Sequence, residues 1–387
     1  MKKIIPLFIF IFACKSAVAQ ERTLNPGVPF LLVAADARAA GMGDIGVATS
    51  ADATSQQWNP AKYAFAEDAK GFSVSYTPYL TDLVNDISLA QLTYYQKIDE
   101  KSAFAGSLRY FGLGDIELRD NAIDPARIVS PNELALDASY SLKLSEKFSM
   151  AVGGRFINSN LKVASDNTDA TSASTFAVDV AGFFQSEEIA YNDFNGRWRA
   201  GFNIQNLGPK ISYDNDDFNS NFIPANLKIG SGFDFILDDF NKVALNVEFN
   251  KLLIPSFQDS DLNGDGDVTN EEVNQNRNNY RSIGWTSGVF KSFGDAPGGF
   301  SEELQEVTYA VGAEYMYQDS FALRMGYFHE SPEKGARQFF SLGAGFKYTA
   351  IKVDVSYLFS ASNVRNPLEN TLRFSLTFNF GDKYEVY

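Results

Sequence analysis

The sequence predicts an all-β protein, a transmembrane antiparallel β-barrel of about fourteen strands with an N-terminal segment folded into its lumen. Three observations carry this expectation. Apolar and polar residues alternate with period two along most of the chain. Many alternating segments reach the ~9–11 residues that a tilted strand needs to cross a bilayer. Tyr and Phe crowd the segment ends, as at Tyr94-Tyr95, Tyr315-Met316-Tyr317 and Tyr327-Phe328, where interfacial girdles belong. A soluble sandwich would use the same alternation with the oily side turned inward. The segment lengths, the girdles and the alternation of very short with long turns favour the barrel.

Composition agrees and removes other classes. The 387 residues contain one Cys, one His, and 48 acidic against 33 basic side chains, for a formal net charge of −15. A single histidine, His329, leaves no multi-histidine metal centre, and a chain this acidic has no electrostatic footprint for nucleic acid. An aromatic content of 14% argues against disorder. Beyond the N-terminus no stretch approaches the roughly 18 consecutive apolar residues of a membrane helix.

Residues 1–19 read as a cleavable signal peptide: basic Met1-Lys2-Lys3, an apolar run from Ile4 to Ala13, and a small-x-small site at Ala17-Val18-Ala19. A competing reading is lipidation at Cys14, which bulky Phe12 disfavours. Cleavage after Ala19 removes the only cysteine, so disulfides cannot stabilise the mature chain.

Residues 20–70 do not alternate. They are rich in small side chains, as in Ala34-Ala35-Asp36-Ala37-Arg38-Ala39-Ala40-Gly41, and carry Trp58-Asn59-Pro60-Ala61. A compact segment before the first strand is expected to fold into the lumen as a hatch or plug, rather than trail as a periplasmic leader.

The barrel is expected over 71–387. Candidate strands lie at 71–79, 87–98, 101–112, 132–144, 147–158, 173–186, 197–207, 226–237, 241–252, 280–293, 306–317, 320–329, 337–348, 351–360 and 370–380. The last is typical: Leu372, Phe374, Leu376, Phe378 and Phe380 share one face, and Thr371, Arg373, Ser375, Thr377 and Asn379 the other. Fifteen strands conflict with the even number of bacterial barrels. Tight turns at Asp99-Glu100-Lys101, Ser145-Glu146-Lys147, Asp238-Asp239, Gln318-Asp319 and Thr349-Ala350 all face the periplasm only if one strand between 253 and 305 is not in the wall. Segment 280–293, interrupted by Gly284 and Gly288, is therefore removed, and 253–305 becomes the longest extracellular excursion.

Three local patterns bear on chemistry. Gly41-Met42-Gly43-Asp44-Ile45-Gly46 matches G-x-G-x-x-G, but lacks the strand and helix that a dinucleotide site requires, so tight packing inside the barrel is the better reading. Asp261 to Glu272 satisfies the calcium-loop spacing D-x-[DN]-x-[DN]-G-x₅-E. There Asp261, Asn263 and Asp265 would supply side-chain oxygens, Asp267 its carbonyl, Thr269 a contact through water and Glu272 both carboxylate oxygens of a structural Ca²⁺ site. The plainer reading is a solvated acidic turn. Flanking helices are not expected, because the residues after Glu272 are mostly Asn and Gln. Finally, His329 beside Glu330 and Ser331 reads as an interface or loop residue, and Asp214-Asn215-Asp216-Asp217 as hydrated loop charges. No catalytic residues are assigned, and an enzyme is not expected.

Trp58-Asn59-Pro60-Ala61 after a Gly/Ala-rich leader resembles the FadL-type outer-membrane proteins. With Asp36-Ala37-Arg38-Ala39-Ala40-Gly41-Met42-Gly43, Phe293-Gly294-Asp295-Ala296-Pro297-Gly298-Gly299-Phe300, Gly312-Ala313-Glu314-Tyr315 and Leu323-Arg324-Met325-Gly326-Tyr327, the chain more closely resembles the PorV/PorQ branch of the Bacteroidetes type IX secretion systems. The resemblance spans essentially the whole mature chain. It implies an outer-membrane barrel with an N-terminal hatch that associates with the giant translocon barrel (SprA/Sov type). It also implies receipt of secreted proteins bearing a C-terminal secretion domain and their transfer to surface attachment or release machinery. Such a role needs an exposed contact surface, for which Trp285, Phe290, Phe293 and Phe300 are the candidates, and an oily wall in the lipid bilayer. The rival from another class is a FadL-like transporter of hydrophobic small molecules.

Overall fold

The computed structural model describes residues 23–81, 84–119, 125–161, 172–213, 219–362 and 366–383. The expected signal peptide, Cys14 and the Asp214–Asp217 cluster lie outside them. Fourteen strands form the wall: β1 Asp68–Pro78, β2 Ile87–Lys97, β3 Ser102–Leu113, β4 Asn132–Ser145, β5 Phe148–Asn160, β6 Ala173–Gln185 and β7 Asn195–Leu207. They continue as β8 Asn226–Ile236, β9 Asn241–Leu252, β10 Val307–Tyr317, β11 Phe321–His329, β12 Gln338–Tyr348, β13 Ile351–Ser360 and β14 Leu372–Lys383. Each pairs antiparallel with the next, and β14 returns to β1 with Phe378 opposite Phe72 and Phe374 opposite Tyr76. The barrel is closed, so no sheet edge meets lipid. No helix among the described residues is long and apolar enough to cross a membrane; strands make the crossing.

The alternation is inverted relative to a soluble protein. Outward-facing Val74, Tyr76, Leu136, Val152, Phe176, Leu323, Phe374 and Leu376 are exposed, whereas inward-facing Ser73, Ser75, Ser107, Asp137, Arg155, Arg324, Asp354 and Arg373 are buried. A polar interior and an oily exterior make sense only where the outside solvent is hydrocarbon. Aromatic rings gather at both rims. Tyr309 stacks on His329, with Tyr327 packed on Phe340, at the end with long loops. At the end with tight turns, Tyr191 stacks on Phe194, Phe233 meets Tyr191, Phe194, Trp198 and Phe235 edge on face, and Phe321 meets Phe346. His329 is thus part of a girdle.

The parity argument for removing 280–293 from the wall holds: that stretch is helical. Two one-turn helices, α1 Ala37–Ala40 and α2 Ser55–Trp58, belong to the N-terminal segment. The excursion between β9 and β10 carries α3 Asn270–Ser282, α4 Trp285–Lys291 and α5 Phe300–Gln305. The expectation that no helix follows Glu272 is therefore wrong. Its Asn content lowers helix propensity, but the N-terminus is strongly specified. Thr269 accepts from the Glu272 amide at 3.2 Å while Glu272 accepts from the Thr269 amide at 2.9 Å, a reciprocal capping box. Tertiary contacts complete it: Tyr280 stacks on Phe257 with ring centres 3.8 Å apart and meets Phe222 edge on, and Asn276 donates to the Gln258 carbonyl.

The N-terminal segment runs against the inner faces of the wall. It is buried from Ala34 to Ala66 except for half-buried Asp44 and Ser50–Asp52. Trp58 donates its indole N–H to Asp36, which also caps α1 through the Ala39 amide, and Asn59 caps the turn that Pro60 opens. The Trp-Asn-Pro motif is thus a local staple that folds the segment back on itself.

Candidate functional site

The interior contact between this segment and the wall is the most densely specified part of the molecule. Wall side chains reach it from many directions. Thr77 donates to the Ala35 carbonyl, Arg109 to that of Leu31, Ser149 to that of Ala61 and Asn203 to that of Trp58. In the other direction the amides of Ala37, Gly43 and Gly46 donate to Ser375, Ser341 and Glu248. Because many inward strand positions are polar, the backbone groups of a segment with little secondary structure find partners there.

Glycines allow the approach. A Cβ on Gly326 of β11 would sit 2.0 Å from the Met42 carbonyl carbon, and one on Gly312 of β10 would sit 2.5 Å from the Met42 oxygen. Gly43 itself adopts φ +80, with its Cα facing the Tyr327 backbone. The G-x-G-x-x-G stretch is indeed a packing element and not a phosphate loop.

A charge network locks the same junction. Arg38 of α1 forms a two-pronged contact with Glu314 of β10, Nη2 to Oε1 at 2.8 Å and Nε to Oε2 at 3.1 Å, and its Nη1 reaches Asp52 at 2.6 Å. Arg324 of β11 donates to the same Glu314 at 2.5 Å and to Asp354 of β13 at 2.7 Å, and Lys352 sits 3.2 Å from Asp354. Arg38, Asp52, Glu314, Lys352 and Asp354 border a cavity of about 470 Å³ at the tight-turn end, also lined by Arg199, Asp234 and Asp36. Sequence reasoning missed the network. The available signal was Glu314, Arg324 and Asp354 at inward positions of neighbouring strands, where a charge has to find a partner.

Lys62 gives the junction a measurable pH dependence. Its ammonium donates to the Gly46 carbonyl and Thr49 Oγ1, both at 2.9 Å, and burial pushes its pKa down to about 8. Between pH 8 and 10.5 the released segment therefore binds more protons than the seated one, and seating strengthens as pH rises. Thermal release followed by protease sensitivity should move to higher temperature across that window, and Lys62→Met should flatten the dependence.

At the other rim the excursion is tied down at its base and open at its tip. Lys251 of β9 contacts Glu303 and Glu306 at 2.8 Å each, and Lys334 contacts Glu302 at 2.6 Å and Glu306 at 3.0 Å. Of the four aromatic candidates, Phe290 is 80% exposed, Phe300 78% and Phe293 54%, while Trp285 is half-buried. In the turn that follows β9, Asp261 accepts from the amides of Gly264 at 2.7 Å and Gly266 at 3.0 Å, Asn263 from Asp265, and Asp265 from Asp267. Thr269 and Glu272 close it through the capping box. Among the described residues, no three Asp, Glu, His or Cys side chains are gathered as a preformed metal cluster.

The chain is similar in structure to the TodX deltaS2S3 mutant monoaromatic hydrocarbon channel, at 12% identity and a TM-score of 0.50, covering 89% of this chain and 99% of that one. It is also similar to the Pseudomonas putida toluene transporter TodX (11% identity, 92% and 98% covered, TM-score 0.46) and to a Pseudomonas aeruginosa FadL homologue (11%, 89% and 98%, TM-score 0.43). At such identities the likeness concerns the fold alone. No curated protein matches the chain. The family model for the type IX secretion system protein PorV matches residues 16–259, well over half of the sequence. An inverted, closed fourteen-strand barrel with this family match places the chain in the outer membrane as a member of the PorV family of type IX secretion system proteins.

Proposed function

We propose that the protein serves type IX secretion as a docking component and not as the conduit. On this reading the N-terminal segment is a permanent plug. The long-loop rim receives exported proteins by their C-terminal secretion domain, the oily wall docks on the translocon barrel, and cargo passes on to surface attachment machinery. Family membership supports the secretion role. The observation that supports docking over conduction is the filled interior. A folded domain of ~100 residues has a radius of gyration near 13 Å, and the buried segment 34–66, bonded to the inner face of many strands, occupies the interior where such a domain would have to pass. The exposed rings Phe290, Phe293 and Phe300 supply the apolar anchors a protein contact needs.

The rival is a transporter of hydrophobic small molecules with the segment as its gate. It is disfavoured by the Arg, Asp, Glu and Lys side chains that line the cavity. Deletion of the gene separates the two. A secretion component strands folded cargo in the periplasm and leaves uptake of apolar solutes unchanged; a transporter does the reverse. Co-purification from native membranes should recover a much larger barrel together with cargo. The combined variant Phe290→Ser/Phe300→Ser should reduce cargo recovery about tenfold or more. Cargo release at wild-type level in the deletion strain would defeat the proposal.

A further inference from the structure

The turn from Asp261 to Glu272 is not used by the docking reading, and its geometry stands apart from it. Twelve residues contain five acidic side chains and no basic one. Gly264 and Gly266 take φ +76 and +89, and the Asp261 carboxylate draws both their amides inward, so the chain wraps around that carboxylate. The helix that sequence reasoning did not expect begins at Asn270, directly after the turn, with Thr269 as its cap.

The independent observation concerns Glu272. Its side chain is well buried, the residue being 8% exposed, although it sits at the edge of an otherwise exposed turn. Oε2 is occupied by Thr269, accepting from its amide at 2.9 Å and its hydroxyl at 2.7 Å. Oε1 is buried with no hydrogen-bond partner. Through Thr269 the carboxylate is held against the last residue of the turn. A buried carboxylate oxygen that no hydrogen bond satisfies is costly unless something positive completes it.

We propose that this turn is a Ca²⁺ site on the long-loop rim. Asp261, Asn263 and Asp265 contribute side-chain oxygens, Asp267 its carbonyl, and Thr269 a contact through water, while Glu272 closes the site with its free Oε1 and then both oxygens. Glu272 already stands at the third position of α3, so a modest side-chain rotation from its cap toward Asp261 completes the set. The ligands are hard oxygens on a flexible backbone, and six or seven of them suit calcium better than magnesium, which demands a tight octahedron and keeps its water. Binding fixes the start of α3 relative to the turn. Through the Tyr280–Phe257 stack, it stiffens the arm that leads to α4 and Phe290.

The test uses the full-length protein in lipid nanodiscs after treatment with a chelator. Equilibrium dialysis against ⁴⁵Ca²⁺ should give about one ion per chain, with a dissociation constant on the order of 10⁻⁴–10⁻³ M, as in extracellular modules. The double variant Asp261→Asn/Glu272→Gln should lose that binding at least tenfold, and Asn263→Ala should weaken it by a smaller factor. Retained heat-modifiable migration in gels certifies that each barrel is folded. Calcium, and not an equal concentration of magnesium, should also slow proteolysis between β9 and α4. No saturable binding up to about 10 mM, or equal binding by wild type and the double variant, overturns the proposal. Neither result touches the secretion role, which is read from cargo release.

Discussion

Gly326→Leu should turn a closed barrel into a conducting one. Gly326 faces inward from the middle of β11, and any Cβ placed there falls 2.0 Å from the Met42 carbonyl carbon and 2.2 Å from the Gly43 amide nitrogen. Both are backbone atoms, and real Cβ contacts do not approach this closely, so no rotamer change relieves the clash. The wall is held by ladder bonds to β10 and β12 that the substitution leaves alone, with Gly326 opposite Gly312 on one side and Ser341 on the other. The segment is held by side-chain contacts and one charge network and not by a strand ladder, so it is the part that moves. Overpacking of this kind costs ~3 kcal/mol or more. In planar bilayers the wild type should be nearly silent, and Gly326→Leu should open steps of nanosiemens order while trypsin gains access at Arg38 and Lys62. Gly154→Leu serves as the control, since a Cβ there meets nothing within 4 Å. Gly326→Leu channels as silent as the control would show that the segment does not close the lumen.

Much of this arrangement was legible in advance because alternation is a local property. Leu372 to Phe380 declared their two faces residue by residue, and the wall turned them as read. Strand parity then corrected the count by removing 280–293. Two things were not legible. Helix α3 hides in five Asn residues, and what makes it a helix is one reciprocal contact between Thr269 and Glu272, with the packing of Tyr280 on Phe257. The pairing of Arg38 with Glu314 was equally hidden. The two lie 276 residues apart, and only closure of the barrel decides which inward carboxylate faces which segment cation. Period-two patterning tells which side chains point inward, but barrel closure sets their partners.

That pairing should dominate the stability of the junction. Glu314 receives three N–H groups from two guanidinium groups, Arg38 and Arg324, and all three side chains are under 8% exposed. Glu314→Ala leaves two cations facing one another across the vacated space. Removing one partner of a buried pair costs about 3–5 kcal/mol. Because the adjoining cavity lines the same groups, water reaches part of the site, and the low end of about 3 kcal/mol is expected. Arg38→Ala should cost less, ~1–2 kcal/mol, since Glu314 keeps Arg324 and Asp52 keeps its bonds from Thr54 and Ser55. The double variant Arg38→Ala/Glu314→Ala should fall well short of the sum, because the two residues share one contact.

Acid alone should not mimic the lesion until it is strong. Burial raises the pKa of the Asp52 carboxyl, but Arg38 and Lys62 outweigh that and hold it well below the ordinary range. Its contribution is therefore complete above the unfolded aspartate value of about 3.9 and fades only as pH drops below it. Thermal release of the segment, read by trypsin cleavage at Lys62 and by conductance, should be unchanged at pH 5 in wild type and many degrees lower at pH 7 in Glu314→Ala. A Glu314→Ala release temperature within a degree or two of wild type would mean that the glycine contacts hold the segment without the ion pairs. The Gly326 and Glu314 variants would then separate steric from electrostatic retention.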